Sequence, residues 1–228
     1  MTLVLAYYVG GMRTMTKKLL VACEYSGVVR EAFAKKGWDA WSCDLLPTDQ
    51  PSDKHIQGDC LEAIANEKWD MIIAHPPCTH LSLSGAKYWA EKRADGRQQA
   101  AIKFVEDIWD ADCPRICIEN PVGALTKHSK LGKASVYIQP YEFGHAEQKR
   151  TGLWLKGLPK LEGTKFIDVK GLPNKERHRL HWLPPSKDRW KIRSTTFQGI
   201  ADACLLYTSP SPETKANLVC RLLLEKKK

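Results

Sequence analysis

The 228-residue sequence has no run of 18 apolar residues, so no transmembrane helix is expected. It has no C-x-x-C pair. Its eight cysteines (Cys23, Cys43, Cys60, Cys78, Cys113, Cys117, Cys204 and Cys220) are scattered, several of them in apolar runs. That argues against a disulfide scaffold and for a reducing, intracellular compartment. No G-x-G-x-x-G follows the first apolar run, which counts against a dinucleotide enzyme, and no repeat is visible. Acidic residues are in deficit, with 26 Asp and Glu against 35 Lys and Arg, a formal charge of +9. A charge of this sign suggests an anionic partner, nucleic acid above all. Apolar residues at 43% and charged residues at 27% exclude collagen-like, coiled-coil and wholly disordered chains.

What is present alternates between two patterns. Short apolar runs at Leu19–Cys23, Asp39–Cys43, Asp70–Ala74, Arg115–Ile118, Ser135–Ile138 and Gly152–Leu155 have the length of strands. Helical spacing marks Gly27–Lys36, Leu61–Glu67 and Gly96–Asp110, with Gly37 placed to end the first. This alternation predicts an α/β fold with a mostly parallel sheet and helices on both faces. Ligands of such sheets bind past the carboxyl ends of the strands. Those ends carry Glu24-Tyr25-Ser26-Gly27, Asp44, Asp59-Cys60, His75-Pro76-Pro77-Cys78 and Glu119-Asn120-Pro121.

Each group has a functional and a plain reading. Asp44, about 20 residues past the first strand, can accept from ribose hydroxyls or simply serve a turn. Two prolines present Cys78 on a stiff loop, as a nucleophile, a buried structural thiol, or a zinc ligand with His75 and His80. No second ligand pair at finger spacing supports the zinc. Glu119 can hydrogen-bond or protonate a ring nitrogen, or lie exposed in a turn. Residues Lys149–Arg193 hold 13 Lys and Arg against four acids, interleaved with Phe166, Trp182 and Trp190. Basic residues with aromatics suit phosphate contact and base stacking, or form a solvated surface.

Taken together, over about residues 17–203, the motifs resemble the cytosine-5 DNA methyltransferases, in particular their short phage-encoded forms. Pro77-Cys78 is similar to the family's Pro-Cys nucleophile loop, Glu119-Asn120 to its Glu-Asn pair, and Gln148-Lys149-Arg150 to its Gln-x-Arg segment. Gln139-Pro140, Leu153-Trp154-Leu155-Lys156 and Thr196-Phe197-Gln198-Gly199-Ile200-Ala201 resemble the phage forms. The first loop keeps only the last glycine of the family's F-x-G-x-G-G, and Gly152 stands where a second arginine is usual. Only about 40 residues separate Arg150 from Arg193, little room for a target-recognition domain.

The resemblance implies a Rossmann-like methyltransferase fold and S-adenosyl-L-methionine as cofactor. Cys78, Glu119 and Arg150 would be catalytic, with Arg150 favouring the thiolate. Glu24, Tyr25, Ser26, Gly27, Asp44, Asp59, Cys60 and His75 would hold the cofactor, Asp44 at the ribose and Asp59 at the adenine amino group. Pro77, Asn120 and Gln148 would meet the substrate, a cytosine turned out of the DNA stack. A cytoplasmic monomer, with no membrane or metal, is the accompanying expectation. An amino-methyltransferase, or a non-catalytic DNA-binding protein on a degenerate scaffold, are the alternative readings. Residues 1–16 are expected to be a non-native or disordered extension, with Met15 as the working start, and 204–228 an atypical tail. Pro210 and Pro212 bar a regular helix there, although Pro212 could open a new one.

Overall fold

The computed structural model describes residues 16–208. The extension ahead of residue 16 and the tail beyond 208 lie outside it, as does a helix opened by Pro212. Seven strands form one sheet in the order β3-β2-β1-β4-β5-β7-β6. They are β1 Lys18–Ala22, β2 Asp39–Asp44, β3 His55–Gln57, β4 Met71–Ala74, β5 Ile116–Pro121, β6 Val136–Ile138 and β7 Thr151–Lys156. The first five run parallel, while β7 lies antiparallel between β5 and β6. Nine helices are described: α1 Val28–Ala34, α2 Cys60–Asn66, α3 Trp89–Ala94, α4 Arg97–Trp109, α5 Leu125–His128, α6 Asn174–Arg177, α7 Arg179–Trp182, α8 Arg189–Ser194 and α9 Gln198–Thr208. This is the expected α/β architecture with a mostly parallel sheet, compatible with a Rossmann-like fold.

Alternation along the strands sorts the core into two layers. Leu20, Ala22, Ile72, Ala74, Ile116 and Ile118 pack under α2 and α4, with Ile102, Val105 and Ile108 from the long helix. Leu19, Val21, Met71, Ile73 and Cys117 face the other way, under Val29 and Phe33 of α1 and Ala201 and Leu205 of α9. Leu19, Leu20 and Ile72 are fully buried. Each contributes roughly 1.5–3 kcal/mol by leaving water.

The strand order reverses beside β1: the chain first builds outward through β2 and β3, then crosses to β4 on the other side. In open α/β sheets the crevice at such a reversal is where ligands bind. Here its walls are the loop after β1 and the loop after β4.

Two expectations change. Glu119, Asn120 and Pro121 lie on β5, not past its end, because antiparallel β7 carries the pairing on through Asn120↔Gly152 to Pro121↔Thr151. The strand expected at Gly152–Leu155 is found, as β7. The tail does not begin at Cys204: α9 runs unbroken from Gln198 to Thr208, and Leu205 is buried in the same core.

Candidate functional site

Strand parity assembles the site. On β4, Ile73 faces α1 and α9, so His75, two residues on, points the same way. On β5 the same parity carries Cys117 to Glu119, and on β7 it joins Lys149 and Thr151 to Leu153. His75, Glu119, Lys149 and Thr151 accordingly line one cavity, with Thr196, Phe197 and Ile200 from the α9 end. His75 Nδ1 is 3.3 Å from Glu119 Oε2. Since an ionised carboxylate only accepts, the imidazole donates here. Its Nε2 is buried without a partner among the described residues.

Cys78 is exposed on the loop after β4. That loop is held by its own carbonyls. Pro76 O accepts from Asn120 Nδ2 at 2.9 Å, and Cys78 O from the backbone N–H groups of Leu81 and Ser82. Thr79 O accepts from Lys92 Nζ at 2.6 Å, His80 O from Gln98 Nε2 at 3.0 Å, and Leu81 O from Ala124 N at 2.7 Å. Lys92 and Gln98 are themselves buried. Gly123 permits this approach, for a Cβ there would stand 1.9 Å from Leu81 O.

Electrostatics at the site set the protons. Enclosure raises the Cys78 thiol, the Glu119 charge raises it further, and Lys149 and Arg193 oppose them without prevailing. Burial alone would raise Glu119. The hydrogen bond from His75 and the Lys149 ammonium outweigh it and hold the carboxyl below its usual range. At neutral pH the pair therefore rests as thiol and carboxylate.

The cation beside this pair is Lys149, not Arg150. The exposed Arg150 guanidinium stacks on Tyr137, 4.4 Å from the ring centroid. The extended chain sends consecutive residues to opposite faces, which parity with Leu153 could have disclosed. Lys149 Nζ also donates to Arg193 O of α8 at 3.0 Å.

The residues expected around the cofactor divide into two groups. Asp44 and Asp59 stand past neighbouring strands, Asp44 half-buried and Asp59 exposed. Each has one oxygen on a backbone amide: Asp44 Oδ1 accepts from Leu46 N, and Asp59 Oδ1 caps α2 by accepting from Leu61 N. Glu24 is buried, and its carboxylate caps α1 through Val29 N at 2.7 Å and Arg30 N at 3.2 Å. Ser26 donates to it at 3.3 Å. Gly27 turns the chain with φ 71, and a Cβ there would meet the Arg30 guanidinium at 2.7 Å. Tyr25 is buried beneath α8, donating to Lys191 O at 2.9 Å, with the Trp190 ring centroid 5.4 Å away. Cys60 is buried at the start of α2, its sulfur 3.7 Å from that of Cys23.

Among the expected substrate contacts, Pro77 is exposed beside Cys78 and Gln148 is half-buried, its backbone N–H donating to Arg177 O. Asn120 points inward and positions Pro76 instead. Among the described residues no group of three or more His, Cys, Asp and Glu is arranged to hold a metal, and no helix is long and apolar enough to cross a membrane.

Compared with models of known protein families the chain matches none, and it has no significant match among curated proteins.

Proposed function

We propose that the protein is an S-adenosyl-L-methionine-dependent methyltransferase acting on carbon 5 of cytosine in DNA. The observation that carries this reading is that Cys78, on the loop after β4, and Glu119, on the neighbouring strand β5, lie near enough for the carboxylate charge to act on the thiol. The thiol is exposed on a pinned loop, and the carboxylate is oriented by His75.

Carbon 5 of cytosine is a weak nucleophile until a thiolate adds to carbon 6. Thiol and carboxylate hold one proton between them at rest. Moving that proton from Cys78 towards Glu119 yields both the nucleophile and a donor for ring nitrogen N3. Lys149 favours the thiolate as it forms. Sulfur then bonds to carbon 6, and N3 takes the proton as the ring electrons shift towards carbon 5. After methyl transfer the carbon 5 proton leaves to water, the sulfur–carbon 6 bond breaks as the ring double bond re-forms, and the N3 proton returns by way of Glu119 to the released Cys78 thiolate.

The cofactor, when bound, supplies an electrophilic methyl group. Two features fit it: the carboxylates of half-buried Asp44 and exposed Asp59 suit ribose hydroxyls and an adenine amino group, and His75 Nε2 is a buried polar atom without a partner among the described residues. Glu24, Tyr25 and Ser26 shape the loop beside it from within. The basic segment beyond β7 supports an anionic polymer as substrate, with Trp182 and Trp190 about half exposed on α7 and α8.

The test is covalent trapping. DNA containing 5-fluorocytosine, with cofactor, forms an adduct stable to denaturation, because fluorine blocks the final elimination. Cys78→Ser abolishes it while cofactor affinity stays within twofold. An adduct that persists in that variant, or labelled methyl found on an exocyclic amine, overturns the reading.

A further inference from the structure

Three thiols from separate parts of the chain gather at one end of the sheet: Cys23 after β1, Cys43 near the end of β2 and Cys60 at the start of α2. Cys23 Sγ and Cys60 Sγ are in van der Waals contact at 3.7 Å. Cys43 Sγ is turned towards Gly58 O at 3.5 Å. Cys23 is also the one non-glycine residue with positive φ among the described residues, at 57°. Strain of this kind persists where surrounding structure imposes it, and it gathers at functional positions. We infer that Cys23 and Cys60 are an oxidation site, a dithiol that peroxides convert to a disulfide across the rim of the proposed cofactor crevice.

The geometry needs little change. A disulfide is about 2.05 Å long, so the sulfurs close by about 1.7 Å, within the reach of side-chain rotation and small loop movement. The partly exposed Cys23 receives the oxidant, and the buried Cys60 resolves it. In the first step the peroxide O–O bond breaks and an S–O bond forms on Cys23, giving a sulfenic acid and one water. In the second, Cys60 sulfur attacks Cys23 sulfur, the S–O bond breaks, and the departing hydroxide leaves as water with the Cys60 proton. Two thiols lose two electrons and two protons, and one hydrogen peroxide becomes two waters. The hydrogen bond to Cys60, burial and the nearby Asp44 charge all hold Cys23 well above its ordinary range. The pair therefore oxidises slowly rather than as a fast, low-pKa sensor.

The bond would tie the loop after β1 to the N-terminus of α2, between Asp44 and Asp59. Its consequence for cofactor binding rests on the function proposed above; the bond itself does not.

The test treats the full-length Cys78→Ser protein, which removes the one thiol exposed among the described residues, with hydrogen peroxide and maps its peptides without reduction. The expected result is a Cys23–Cys60 linked pair, two mass units lighter than the free peptides and reversed by dithiothreitol. Cys23 and Cys60 left as thiols when Cys78 of the unmutated protein is fully oxidised, or Cys23 joined to Cys43 instead, overturns the assignment. Calorimetry with S-adenosyl-L-methionine then compares the two states. Binding at least tenfold weaker after oxidation, restored by dithiothreitol, supports a switch, and equal binding overturns it. Reduced protein that binds no cofactor overturns the proposed function and leaves the disulfide standing.

Discussion

The Cys78 loop and the basic segment after β7 face the same site but are secured in different ways. The loop is fastened through its backbone, with carbonyls from Pro76 to Leu81 accepting from buried or neighbouring donors. The segment carrying α6, α7 and α8 is fastened at separate points, with Gln148 N–H donating to Arg177 O, Lys149 to Arg193 O, and a few side chains adding to them. Tyr25 reaches α8, Lys191 pairs with Asp49, and Arg179 with Glu147. The exposed Lys191–Asp49 pair contributes about 0–1 kcal/mol. A reacting atom tolerates little displacement, whereas a surface that grips a flexible polymer gains from adjusting. The division separates chemistry from grip.

The comparison is sharpened most by removing a loop donor. Asn120→Ala leaves the buried Pro76 carbonyl unpaired, at a cost of about 1–3 kcal/mol of stability. A misplacement on the order of 1 Å slows chemistry by about 100-fold. Denaturant unfolding and the rate of 5-fluorocytosine trapping measure the two effects. If trapping is unchanged, the loop is not held as described.

Asp44→Ala comes next, weakening cofactor binding by about 1.5–3 kcal/mol through lost charge-assisted hydrogen bonds. Calorimetry on the folded variant decides, and unaltered affinity moves the ribose site elsewhere. Trp182→Ala probes the other region. Its side chain is 56% exposed, so the melting temperature should hold while DNA affinity falls by about 1–3 kcal/mol if a base stacks on it. A large stability loss would show the segment to be core. With about five phosphate contacts, log affinity should fall against log salt with a slope of roughly −4 to −5. A flat response removes the segment from the interface.

The smallest effect lies in the pH profile of Cys78. Its thiol sits above the ordinary value of 9.0, so alkylation by iodoacetamide is still rising at that pH. Glu119→Gln removes a negative neighbour and shifts the midpoint down, and Lys149→Met removes a cation and shifts it up. A midpoint that ignores both substitutions would separate the thiol from the pair.

The sheet was legible because strands buried on both faces are continuous apolar runs, as in Met71–Ala74. β3 was not, since His55–Gln57 offers one apolar residue at a sheet edge. α6, α7 and α8 are too short for a helical period. Cys78 and Glu119 could be named from their motifs, but Lys149 required knowing which residues of β7 share a face. The contact between Cys23 and Cys60, 37 residues apart, exists only once β1 and α2 are packed.

The place of β7 bears on how the protein is made. β7 is synthesised after β5 and β6 yet lies between them, so the five parallel strands can pair in order while the last two must wait. Until residue 156 has left the ribosome, β5 keeps six residues of unpaired edge, an invitation to stray pairing with another chain. The strand that closes this edge also continues the segment bearing Lys149. Completion of the sheet and arrival of the site's cation are thus one event, and a chain arrested before it has neither.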